Sequence, residues 1–160
     1  MDDTQPRAAL VTAATGAIGS AVAIELAHRG WSLFCQYSGA EAEAGEVEQA
    51  LRRAAQKQQR RIDTAWAKVD LSQSAGREQL VEQALDEFER IDLLVNADAG
   101  SAGVAEDLLE LTEDAFADVM ASGVTATLFL TQLVASEMVR LVEAGEMEAG
   151  KIVTLSLIHI

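Results

Sequence analysis

Apolar positions alternate along the chain between short unbroken runs and spaced helical stripes. Residues 8–12 form a short apolar run ending at a turn, the pattern of a buried strand. Residues 17–29 then carry helical spacing, with Ile18, Val22 and Leu26 on one apolar face and Gly30 placed as the residue that ends the helix. A second apolar run covers 31–37. Residues 41–59 are rich in Ala, Glu, Gln and Arg, with Val47 and Leu51 four apart, and predict an amphipathic helix. A third strand is expected over 62–69. The helix expected over 73–90 places Leu80, Val81, Ala84, Leu85 and Phe88 on one side. A nearly all-apolar fourth strand at 91–96 leads into a Gly/Ala/Ser loop to about residue 104. A long helical stretch spans 112–144, with Thr112 as N-cap and Glu113 and Asp114 in its first turn. Gly145 and Gly150 bracket a break, and a fifth strand is expected from Lys151 to the end.

Strands that alternate with helices and are apolar throughout belong in a parallel sheet covered on both faces. Right-handed crossovers then favour a doubly wound α/β fold: three layers, about five parallel strands, in the order 3-2-1-4-5. Residues 1–154 read as one such domain, with no internal repeat and no linker.

Composition narrows the function. Aliphatic content is high and the chain has a single Pro, which excludes disorder as its main state. Twelve Lys and Arg stand against 26 Asp and Glu, a formal charge of −14. That field repels nucleic-acid backbones and anionic lipid, so neither is an expected partner. Any phosphate site must rest on backbone N–H groups. The basic cluster Lys57, Arg60 and Arg61 reads as a solvated helix end. The lone cysteine, Cys35, lies in an apolar run and reads as a buried thiol. Two histidines and no cysteine pair leave no expected metal site. The polar, acidic start is unlike a signal peptide, no apolar run approaches the length of a membrane span, and the expected location is cytoplasmic.

The first strand runs directly into Thr12-Ala13-Ala14-Thr15-Gly16-Ala17-Ile18-Gly19, where a helix begins. Small residues let backbone approach a pyrophosphate, and a helix N-terminus offers it free N–H groups. An ordinary turn between strand and helix is the alternative reading of this loop alone. The loop resembles the Thr-Gly-x-x-x-Gly-x-Gly element of short-chain dehydrogenases/reductases. Val69-Asp70-Leu71-Ser72 resembles that family's aspartate after the third strand, which binds adenine. Asp92 to Gly100 resembles its Asn-Asn-Ala-Gly element after the fourth strand, and Gly150 to Thr154 its fifth strand. The resemblance covers residues 8–154. It implies NAD(P)H-linked oxidoreduction of a small carbonyl or alcohol. The cofactor-binding positions it implies are Thr12, Ala13, Thr15, Gly16, Ala17, Ile18, Gly19, Tyr37, Ser38, Asp70, Leu71, Asn96, Ala97 and Gly100. NAD-dependent members usually carry an acid at the end of the second strand. Here Gln36, Tyr37 and Ser38 stand there and the first acid is Glu41, which favours NADP over NAD.

The chain departs from the family pattern in four places. Ala13 and Ala17 replace the first two loop glycines; if Ala13 takes a positive φ, its methyl costs on the order of 1 kcal/mol. Asp98 is an insertion beside the expected cofactor groove. Gly123 falls where the family's structural and catalytic Asn sits. Last, the only tyrosine is Tyr37, so the family's Tyr-x-x-x-Lys acid/base pair is absent and no catalytic residue is assigned. Residues 155–160 read as a non-native tail on a fold that stops where the family's chemistry begins. The alternative reading is therefore a non-catalytic nucleotide-binding or interaction domain. A flavodoxin-like domain fits less well, because its acidic cluster should follow the first strand. The helix at 112–144 resembles the one through which family members pair, so homo-oligomers through it are expected.

Overall fold

The computed structural model describes residues 7–98, 107 and 109–155. Its strands are β1 (Ala8–Val11), β2 (Ser32–Tyr37), β3 (Thr64–Lys68), β4 (Leu93–Asn96) and β5 (Lys151–Thr154). All pair in parallel in one sheet of order β3-β2-β1-β4-β5, as the alternation of elements predicts. The helices are α1 (Ala17–His28), α2 (Glu41–Lys57), α3 (Ser74–Phe88), α4 (Glu113–Val119) and α5 (Ala126–Glu143), with a π-helical segment, Met120–Thr125, joining the last two.

Side chains of successive strand residues leave the sheet on opposite faces, so β1 to β4 feed two cores. Leu10, Phe34, Ala67 and Leu94 pack with Leu80, Val81 and Ala84 of α3 and with Leu130, Val134 and Met138 of α5. Ala9, Val11, Leu33, Cys35, Leu93 and Val95 pack on the other face with Ala23 and Ala27 of α1 and Leu51 and Ala54 of α2. Three layers result. Burial pushes the Cys35 thiol well above its ordinary range, with the Glu48 carboxylate adding to the effect.

The α1 face differs from expectation. Gly19, Ala23 and Ala27 are buried against the sheet, whereas Val22 and Leu26 are only half-buried and Ile18 is 40% exposed. Small residues four apart let the helix axis come close to the strands, and the larger side chains then flank the contact. Gly30 takes a φ of +83° and ends the helix as expected.

The long helical stretch also needs correction. The helix from Glu113 to Glu143 is, by length and composition alone, long and apolar enough to cross a membrane, with a mean hydropathy of 1.5 in its most apolar window. No charged residue stands between Asp118 and Glu137. Uncharged Thr, Ser and Gln break the apolar run, which hid it from a search for continuous apolar sequence. One stripe of it (Ala126, Leu130, Val134, Met138 and Leu141) is buried in the core, the position of a core helix. The opposite side leaves Phe116, Val124, Leu128 and Val139 more than half exposed. Thr112 caps the start as expected: its hydroxyl accepts the Ala115 N–H at 3.2 Å.

Strand boundaries move: β3 begins at Thr64 rather than residue 62, β4 at Leu93 rather than residue 91, and β5 ends at Thr154. β5 is an edge strand with all four residues exposed.

Candidate functional site

The carboxyl ends of β1, β2, β3 and β4 meet at one edge of the sheet, where doubly wound folds bind ligands. β1 ends in the turn at Ala13, whose φ is +48°, the left-handed region that an L-residue enters at a cost of about 1 kcal/mol. The expected strain at Ala13 is therefore present. The turn delivers the chain to Gly16, the N-cap of α1. Gly19 lies against it so closely that a Cβ there would sit 2.2 Å from the Ala13 carbonyl oxygen. Gly19 is the one loop glycine that the sequence keeps, and the geometry requires it.

The α1 N-terminus has no side-chain cap and no acid in its first turn. The N–H groups of Ala17, Ile18 and Gly19 therefore have no intrahelical acceptor, and the helix dipole adds positive potential there. Gly16, Ala17 and Ile18 are exposed and Thr15 half-buried, so this end of the helix opens to solvent. The residues present thus fit a diphosphate held by backbone N–H groups.

The surrounding loops are fixed by buried polar side chains. Thr12, 1% exposed, accepts the Ala97 N–H at 3.0 Å and the Asp98 N–H at 3.3 Å on its hydroxyl, joining the first turn to the segment after β4. The inserted Asp98 is half-buried beside that hydroxyl. Asn96, also buried, donates from Nδ2 to Thr131 Oγ1 (2.9 Å) and Thr154 Oγ1 (3.2 Å), tying β4 to α5 and β5. Gln36 accepts the Ala13 N–H on Oε1 at 2.9 Å and donates from Nε2 to the Val69 carbonyl at 2.7 Å. On the third strand's side, Asp70 is exposed and one of its carboxylate oxygens accepts the Ser72 N–H at 2.9 Å. Leu71 is buried in the core. Arg77, 6% exposed, donates from Nη1 to the carbonyls of Leu71 (2.7 Å) and Ser72 (3.1 Å), and its guanidinium lies over the Phe129 ring. Gly76 allows this approach: a Cβ there would meet the Asp70 carbonyl oxygen at 2.2 Å.

The fold therefore gathers Thr12, Ala13, Thr15, Gly16, Ala17, Ile18, Gly19, Ser38, Asp70, Leu71, Asn96 and Ala97 at the strand ends. Thr12 and Asn96 spend their side chains on internal bonds, and Tyr37 is buried edge-on to Trp66 with ring centroids 6.1 Å apart. Gly100 lies outside the described residues. Sequence reasoning missed Gln36 as a support and Arg77 altogether. The signal for both was a polar residue on an otherwise apolar strand or helix face.

One expectation changes at the end of β2. The carboxylate of Glu43 reaches back to Gly39, with Oε2 2.8 Å from where a Cβ would stand. An acid does lie near this strand end, brought by the first turn of α2 rather than by the strand itself.

Gly123, at the expected Asn position, lies in the π-helical segment, and nothing crowds its missing Cβ. Among the described residues no His, Cys, Asp and Glu cluster could hold a metal ion.

Comparison with known proteins agrees with this architecture. The chain is 32% identical over 128 residues to the short-chain dehydrogenase/reductase FrzI of Cladobotryum sp, covering 79% of this chain and 46% of that one. It is 28% identical to L-rhamnose 1-dehydrogenase (NADP(+)) of Thermoplasma acidophilum, covering 87% and 52%. The crystal structure of 3-oxoacyl-[acyl-carrier protein] reductase from Brucella melitensis in complex with NAD superposes with a TM-score of 0.77 at 30% identity, over 95% of this chain and 56% of that one. The chain thus spans about half the length of the curated relatives it matches. The model of the short chain dehydrogenase family matches residues 7–158, and the chain belongs to that family.

Proposed function

We propose that this chain is the nucleotide-binding portion of an NAD(P)H-dependent oxidoreductase acting on a small carbonyl or alcohol. The observation that carries the reading is the uncapped, exposed N-terminus of α1 held against the Ala13 turn by Gly19. The free backbone N–H groups of Ala17, Ile18 and Gly19 would take the diphosphate, with the Thr12–Gly16 turn shaping their approach; Ser38 would lie toward the adenosine ribose, and Asp70 and Leu71 toward adenine. Thr12, Tyr37 and Asn96 would act by holding these segments in place, with Ala97 and Gly100 toward the nicotinamide half. The nicotinamide, when bound, supplies the hydride; the chain's own residues orient and anchor it.

NADP is the preferred cofactor in this reading, because Gln36, Tyr37 and Ser38 place no acid on the strand end. Glu43 beside Gly39 favours a second reading, NAD, since a carboxylate there would repel a 2′-phosphate and accept from ribose hydroxyls. Equilibrium titration with NADPH and NADH decides between them. Tighter NADPH binding is expected, with the ratio rising in Glu43→Gln; tighter NADH binding establishes the second reading, and binding of neither refutes the nucleotide site.

The sequence holds no Tyr-x-x-x-Lys pair, the acid/base pair with which the family protonates a carbonyl oxygen. The purified 160-residue chain is therefore expected to bind nucleotide without turnover. That is the behaviour of a non-catalytic nucleotide-binding domain. Substrate-dependent NADPH oxidation by this chain would refute it. The exposed side of the Glu113–Glu143 helix is the proposed surface for homo-oligomers.

A further inference from the structure

Gln36 is the one polar side chain in β2 that lies at the junction of three strand ends, and it is 1% exposed. Its carboxamide is used on both sides. Oε1 accepts the N–H of Ala13, the residue held at positive φ, and Nε2 donates to the carbonyl of Val69, the residue before Asp70. Its own backbone carbonyl accepts the Ala14 N–H at 2.8 Å, so the turn is gripped at two successive amides. We infer that Gln36 is a positioning residue that ties the diphosphate turn after β1 to the adenine-side loop after β3, so that the two halves of the nucleotide site hold one geometry together.

This rests on the nucleotide-binding reading above. Two physical points support it. A left-handed alanine persists only where its surroundings over-determine it, and Gln36 supplies the acceptor that does so. Both ends of the bridge are buried or part-buried, so removing the carboxamide leaves the Ala13 N–H and one lone pair of Val69 without their partner. A side chain of similar length without hydrogen-bonding groups would let each loop settle separately.

The test compares Gln36→Met with the unaltered chain by NADPH titration and by amide hydrogen exchange without nucleotide. Gln36→Met is expected to weaken NADPH binding about tenfold. In the nucleotide-free protein the Ala13 and Ser72 amides should exchange faster together. Ala13→Gly should raise the affinity of Gln36→Met by several-fold more than it raises that of the unaltered chain, because glycine adopts the turn without the bridge; a merely structural loss of stability would give the same gain in both backgrounds. Gln36→Asn, which keeps the amide but is too short to span both partners, serves if the methionine variant does not fold, and should show the same paired exchange. Unchanged affinity, faster exchange at Ala13 alone, or an equal gain from Ala13→Gly with and without Gln36→Met would overturn the inference. If the unaltered chain binds no NADPH, the nucleotide reading fails, while the exchange measurement still shows whether Gln36 couples the two loops.

Discussion

At the scale of single residues, the candidate site depends on how close backbone can come to backbone. Ala13 and Gly19 set that distance: one bends the chain through a left-handed turn, the other lets α1 lie against the resulting carbonyl. The alanines at 13 and 17 are the costly choices, one by strain and one by a methyl at the mouth of the helix N-terminus. Ala13→Gly with Ala17→Gly is therefore expected to tighten NADPH binding by several-fold, on the order of the 1 kcal/mol that the turn costs. Unchanged or weaker affinity in a fluorescence titration would show that the turn is not where the phosphates lie. The strain at Ala13 was legible from the family pattern. The bridge through Gln36 was not, because a glutamine in an apolar run states only that it needs partners, and those partners come from β1 and β3, far away in sequence.

At the scale of elements, α2 is fastened to β3 by Glu48. Its carboxylate accepts from Thr64 Oγ1 at 2.8 Å and Trp66 Nε1 at 2.9 Å, and pairs with Arg52. Partial burial pushes this carboxyl up, but the bonds from Trp66, Thr64 and Arg52 outweigh it and hold it below its ordinary 4.5. A carboxyl held lower in the folded state than in the unfolded one stabilises fully above the unfolded value, and the contribution is lost as pH falls through the folded value. Thermal midpoints of the unaltered chain and Glu48→Gln should thus differ at neutral pH and converge as pH drops below about 4.5. A gap that stays constant with pH would show that the charge is not what matters. The sequence predicts α2 as an amphipathic helix but cannot assign Glu48, whose partners lie 16 and 18 residues on in the next strand. Periodicity located the strands and helical stretches of the described residues but not the π-helical segment at Met120–Thr125. It misjudged the α1 face, where small residues and not large ones set the contact, and the long helix, whose uncharged polar residues hid its apolar length.

At the scale of the whole molecule, the sheet order and the two cores follow from the alternation of apolar runs, while two surfaces are exposed among the described residues. Among the described residues β5 is an edge strand, and the outer side of the Glu113–Glu143 helix exposes Phe116, Val124, Leu128 and Val139. Contiguous apolar surface of this kind associates in water. Sedimentation velocity is expected to show concentration-dependent self-association that Val124→Glu with Leu128→Glu abolishes; a monomer at all concentrations, or association indifferent to those changes, would remove this helix as the contact. The acidic surface gives a nucleotide no general attraction, so binding must be local to the strand ends. Backbone amide shifts on titration with NADPH test that most directly. Shifts are expected to concentrate at residues 12–19, at Asp70–Ser72 and at Asn96–Ala97, with little change along α2 or the far end of the sheet. Saturating NADPH that moves none of these amides, or moves others instead, would contradict it.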